Sequence, residues 1–358
     1  MPSPSRKSSR PVAIWLLIGV GMIVIQIILG GITRLTGSGL SITEWNVVTG
    51  TLPPMNEAAW LAEFDKYKAT PQYQILNTDF TLKDFKFIFF WEWLHRVWAR
   101  LIGVVFLIPF VIFLLQRRFR PEMVKPMIIL FLLGALQGAV GWIMVASGLT
   151  GDAIYVKPTR LALHFLFALA LLGYTYWFAL KLLGSEAQLV VNARIRRLSV
   201  IIMAILVLQL AYGALMAGNK AALSAPTWPS INGYAIPPGM TDADEGLLNL
   251  LDNRVTIHFI HRGLAYILIL LAIFLTVRLY KENTTPWGIR ARPWPMIFVL
   301  IQTLLGIFTV LTSLRIIPNR WGIFEWMAQL HQVFAMLLFL ALLNILFIYR
   351  NRKVRLIA

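Results

Sequence analysis

The 358-residue chain contains no cysteine, which excludes disulfide-braced loops and any thiolate metal centre. Acidic residues are few: 16 Asp and Glu stand against 33 Lys and Arg, with only five His. Charge of either sign is missing from long stretches, and just 14% of residues are charged while 58% are hydrophobic, with a mean hydropathy of +0.71. Such a chain reads as an integral membrane protein, and the soluble classes are set aside.

What is present are eight apolar runs of spanning length, roughly 11–32, 87–115, 126–147, 161–183, 198–216, 255–279, 296–314 and 324–348. The first follows a basic tail, SRKSSR, yet it is long and lacks a small-residue cleavage site, so it reads as a retained helix rather than a signal peptide. The net charge of +17 is explained by topology. Basic residues gather in the N-terminal tail (Arg6, Lys7, Arg10), in the short connections 117–125, 181–197 and 278–292, and in the C-terminal tail (Arg350, Arg352, Lys353, Arg355). The positive-inside rule puts both termini and these connections in the cytoplasm, and nucleic acid is not needed to explain the charge. The longer segments, 31–86, 148–160 and 218–254, then lie on the outer face.

The chain is duplicated. WEWLHRVWARLIGVVFLIPF pairs with IHFIHRGLAYILILLAIFLT, matching His95-Arg96 to His261-Arg262 and Glu92 to His258. LALHFLFALALL around His164 pairs with AQLHQVFAMLLF around His331. Gln137 and Gly141 match Gln302 and Gly306; Gln26 and Gln209 each precede a glycine by four residues; each half then reaches a Pro-Pro pair. The expected fold is therefore an all-α integral membrane protein of eight transmembrane helices, a tandem pair of four-helix bundles. Four is even, so the repeats are parallel, related by a pseudo-twofold axis along the membrane normal. The expected division is 1–183 and 184–358, with an ordered outer loop at 31–86 in which NEAAWLAEFDKYKATPQYQ reads as a short amphipathic helix.

All five histidines fall in this pattern, in the outer third of their helices. A single one could be a packed imidazole with a satisfied hydrogen bond, but two pairs at matching depth point to metal or heme ligation between facing helices. Glu92-Trp-Leu-His95 fits one Glu-x-x-His motif of a di-iron site, yet Glu92 and Glu325 are the only acids within the spans, so the carboxylate count fails. Two histidines on facing helices suit the axial positions of a heme iron. Glu92 shares a helix face with His95 and could move protons; a salt bridge to Arg96 or Arg100 that holds the helix end is the plainer alternative. Arg96 and Arg262 are natural partners for heme propionates, with snorkelling to headgroups as the alternative.

GGITRLTGSGLSITEWNVVTGTLPP, FDKYKATPQYQ, FFWEWLHR and IHFIHRG together resemble the heme A synthase family over nearly the whole chain. The resemblance implies an oxidoreductase that acts on a CH group, turning the C8 methyl of heme O into the formyl of heme A for aa3-type cytochrome oxidases. Successive hydroxylations with water-derived oxygen do this, and the electron acceptor is left open. It implies a heme B cofactor on His261 and His331, a substrate heme facing His95 and His164, and a Glu92 important for activity. It places the protein in a bacterial inner membrane with pockets toward the periplasm, in the cysteine-free group found in proteobacteria and mitochondria. Expected partners are heme O, the lipid bilayer, heme O synthase and a second copy of the chain. The rival from another class is a di-heme b-type electron-transfer cytochrome; a heme carrier is a third choice.

Overall fold

The computed structural model describes residues 9–45, 49–240, 246–317 and 320–351. Twelve α-helices are found among the described residues: α1 Arg10–Leu35, α2 Glu57–Lys68, α3 Pro71–Leu76, α4 Leu82–Leu115, α5 Pro121–Ala146, α6 Pro158–Leu183, α7 Ala193–Gly218, α8 Asn249–Asp252, α9 Arg254–Lys281, α10 Pro286–Ala291, α11 Trp294–Thr312 and α12 Ile323–Ile348. Eight of these (α1, α4, α5, α6, α7, α9, α11, α12) anchor stretches long and apolar enough to cross a bilayer, as expected. The tail residues Arg6, Lys7, Arg352, Lys353 and Arg355, on which part of the cytoplasmic assignment rests, lie outside the described residues, as does 46–48 of the outer loop.

Backbone polarity has to be satisfied internally in lipid, which is why these runs are helices. Pro109 inside α4 is the informative exception. Proline has no N–H for the carbonyl four residues earlier, and that carbonyl, Val105 O, accepts instead from Trp15 Nε1 at 2.8 Å. The defect in one helix thus becomes a contact with α1.

Two boundaries differ from the sequence expectation. Helix α4 starts at Leu82, ahead of residue 87, because Thr81 and Asp84 form a reciprocal capping box that carries the helix out of the apolar run. The amphipathic helix expected over 56–74 is two helices. Pro71 restricts Thr70 to an extended conformation and Thr70 then caps α3, so the chain breaks there.

Helix α1 packs on α4 and α6, and α6 on α5; in the second half α7 packs on α9 and α12, and α11 on both α12 and α9. The halves meet through α6 on α7 and through α12 on α1 and α6. Helices α1, α6, α7 and α12 therefore form the centre, with Ile23, Leu172, Ile202, Leu275 and Met336 in one shared apolar core. The outer helices turn large apolar side chains such as Leu107, Phe131, Leu270 and Leu304 outward, as a lipid-facing surface requires.

The outer loop of the first half is a packed cap. Phe64, Tyr67, Phe80, Phe85, Ile88 and Phe89 form a separate buried cluster joining α2 to the top of α4. Each such side chain contributes about 1.5–3 kcal/mol by leaving water. The Tyr67 hydroxyl donates to Gln72 Oε1 at 3.1 Å and accepts from Asn77 Nδ2 at 2.7 Å. Burial pushes its phenol up to about 12.

Candidate functional site

One cavity of about 1600 Å³ runs through both halves, and all five histidines, Glu92, Arg96 and Arg262 line it. Single small-ligand pockets hold roughly 300–1,000 Å³, so the space admits two large ligands. Among the described residues no three His, Asp or Glu side chains gather as a metal-binding group. His95 and His164 line the cavity from one half of the chain, and His261 and His331 from the other.

Each paired histidine is held in the same way. His95 on α4 meets Gln26 of α1, whose Nε2 donates to the His95 carbonyl at 3.1 Å and lies 3.2 Å from the ring Nε2. His164 on α6 meets Gln137 of α5, with Nε2 donating to the His164 carbonyl at 3.2 Å. In the second half Gln209 Nε2 is 3.4 Å from His261 Nε2, and Gln302 Nε2 is 3.3 Å from His331 Nε2. One turn beyond each glutamine stands a glycine against the imidazole. A Cβ at Gly30, Gly141, Gly213 or Gly306 would come 3.2, 2.7, 3.2 or 2.8 Å from a ring carbon of His95, His164, His261 or His331. Glutamine and glycine four apart share a helix face, so the glutamine fixes the ring from one side while the glycine leaves room for it. The Gln-x-x-x-Gly spacing is visible four times in the sequence; its role depends on which helices pair.

The second-half pair fits a bis-imidazole metal. Its ring centroids are 6.4 Å apart with planes at 75°. Two metal–nitrogen bonds of about 2 Å, with each ring centre about 1 Å behind its nitrogen, put opposed imidazole centres about 6 Å apart. His331 Nδ1 donates to the Gln302 carbonyl at 3.0 Å, which fixes the tautomer and leaves Nε2 unprotonated. The side-chain oxygens of Gln26, Gln137, Gln209 and Gln302 are all buried and make no hydrogen bond with a described residue.

Glu92 is buried, and both of its oxygens are engaged. Oε1 takes a 2.6 Å ion pair from Arg96, while Oε2 accepts from the Ser41 hydroxyl at 2.7 Å and the Ile42 N–H at 2.9 Å. The salt bridge weighed as the plainer alternative is therefore present, and it reaches further than the helix end, into the outer loop. Arg96 also donates to the carbonyls of Ile42 and Glu44, both at 3.0 Å, and its guanidinium lies over the Trp45 ring. Arg262 donates to the carbonyls of Ala225, Thr227, Pro229 and Ser230. Both arginines thus clamp loops over the cavity instead of reaching out to headgroups. Ser41 and the Ile42 N–H had no signal in residue type alone.

Residues 13–343 match the family model COX15-CtaA, described as cytochrome oxidase assembly protein. The chain is 39% identical to the heme A synthase of Flavobacterium psychrophilum, covering 93% of this chain and 96% of that one. It is 43% identical to the heme A synthase of Novosphingobium aromaticivorans, over 94% and 95% of the two chains. With the heme A synthase of Azorhizobium caulinodans the identity is 42%, over 85% and 86%. The paired histidines, the clamped outer loops and these similarities over most of the length agree, and the chain belongs to the COX15-CtaA family of cytochrome oxidase assembly proteins.

Proposed function

We propose that the protein carries out heme A synthesis by oxidising the C8 methyl of heme O to a formyl group, with 1–183 as the substrate half and 184–358 as the cofactor half. His95 and His164 take the substrate heme, and His261 and His331 hold heme B. The observation that carries this reading is the pair of imidazole pairs in one cavity, each ring fixed by the same glutamine and glycine, in a chain of this family. The 6.4 Å spacing of the His261 and His331 rings supports these two as the residues that would hold the heme iron.

Heme B, when bound, supplies one-electron redox chemistry. The chain's own residues do the rest. Glutamines and glycines orient the four imidazoles, and the apolar cavity wall excludes bulk water. Adding a water oxygen to a methyl group and taking it to a formyl group releases four protons, and four electrons that an external electron acceptor must take, so positive charge develops at the carbon. Glu92 is the one acid among the described residues of this half that sits buried at the cavity wall beside a ligand histidine. Its carboxylate stabilises that charge electrostatically. Proton acceptance requires it to exchange the Ser41 hydroxyl for the reacting group. The protein sits in the bacterial inner membrane with both termini cytoplasmic and the pockets toward the periplasm, where heme O synthase and a second copy are the expected neighbours.

The test is pigment analysis of a variant. Glu92→Ala retains the fold and heme B but forms no heme A, whereas normal conversion of heme O by the variant removes Glu92 from the mechanism.

A further inference from the structure

The two outer loops are clamped in one register. Arg96 donates to the carbonyls of Ile42 and Glu44, and Arg262 to those of Ala225 and Thr227. This aligns Leu40-Ser41-Ile42-Thr43-Glu44-Trp45 with Leu223-Ser224-Ala225-Pro226-Thr227-Trp228, so Ser224 and Ala225 correspond in the repeat to Ser41 and Ile42. In the first half that frame of hydroxyl, N–H and guanidinium closes on a carboxylate, Glu92. The second half has the loop clamp without the acid, and there Nη1 and Nη2 of Arg262 both go to loop carbonyls. In place of the acid is His258, 0% exposed, lining the cavity, with neither ring nitrogen hydrogen-bonded to any described residue.

Buried polar groups nearly always have a partner, and a frame that binds a carboxylate in one copy keeps that chemistry in the other. We propose that the second-half frame receives a carboxylate from outside the chain: His258, Ser224 and the Ala225 N–H bind a propionate of the tetrapyrrole held by His261 and His331, with the positive charge of Arg262 beside them. This rests on the heme reading above. A glutamate at 258 would repel the incoming carboxylate, and histidine, three residues before His261 on the same helix face, donates to it instead. The first half fills its own frame with Glu92 and so turns away a carboxylate at the matching spot. The same exchange of residue therefore makes one pocket retain its heme by an anionic edge and leaves the other without that anchor, as a pocket that must release its product needs.

The test uses full-length protein purified from heme-deficient cells and titrated with heme B or with heme B whose two propionates are methyl esters, reading the low-spin Soret band. Wild type is expected to bind the free acid about tenfold more tightly or better than the diester. His258→Phe brings the free acid down toward the diester's affinity, and a low-spin spectrum with the diester reports that the pocket has folded. His258→Gln, which keeps a donor, restores part of the preference. Equal affinities in wild type, or an undiminished preference in His258→Phe, overturn the propionate site while leaving the heme reading in place. Failure of both hemes to give a low-spin spectrum in wild type overturns the heme reading and the proposal with it.

Discussion

Glu92 stands where the other copy of the repeat has His258, and its carboxylate is held by three donors from α4 and the outer loop. A carboxylate so engaged can act as a fixed negative charge and as a clasp, and substitutions separate the two. Glu92→Gln keeps an acceptor for Ser41 and Ile42 but loses the charge; we expect a folded protein with heme B and no heme A. Ser41→Ala removes one hydrogen bond, worth about 1 kcal/mol, and is expected to slow heme A formation without abolishing it. Pigment extraction and turnover measurements read both, and full activity in Glu92→Gln would reduce the residue to a clasp. Among the histidines, His261→Ala and His331→Ala should lose the low-spin heme B spectrum. His95→Ala should lower turnover more than cofactor content.

The helices impose their own demands, because each imidazole rests on a glycine of the neighbouring helix. Gly306→Ala places a methyl 2.8 Å from a ring carbon of His331, an overpacking that costs about 1–3 kcal/mol. The expected outcome is a weakened or shifted low-spin spectrum. Gly134→Ala, on α5 with nothing within 4 Å of the added carbon, should leave the spectrum alone. In the cap formed by α2 and α3, Tyr67 titrates from near 10 to about 12 on burial. A raised pKa means that the neutral phenol is the form the folded cap favours. That contribution is complete below the unfolded value near 10 and is lost as pH rises through about 12. Limited proteolysis of the cap should accelerate between those values in wild type, and Tyr67→Phe should lack this alkaline step.

Across the whole molecule, eight spans and the duplication were legible because the bilayer permits few structures and because histidine is rare in this chain. Lipid forces each apolar run into a helix, and the paired His95/His261 and His164/His331 segments then mark corresponding places. The rest depended on contacts between distant segments. Nothing local in Gln26 or Gln302 announces an imidazole on another helix, and nothing in Ser41 announces a carboxylate 51 residues away. The break at Thr70-Pro71 is marked by the proline alone, while the amphipathic pattern continues across it. The halves are also tied to each other. Gln332, next to His331, donates to the Ile27 carbonyl at 2.8 Å, and Ile27 follows Gln26, which holds His95. One α1–α12 seam thus joins the two imidazole pairs. The central claim is that the two pockets hold different hemes, one retained and one converted. Extraction and quantification of pigments from the purified protein tests it most directly. The account predicts heme B together with heme O, a hydroxylated intermediate or heme A; heme B alone, at two equivalents per chain, would contradict it and make the protein a di-heme electron-transfer cytochrome.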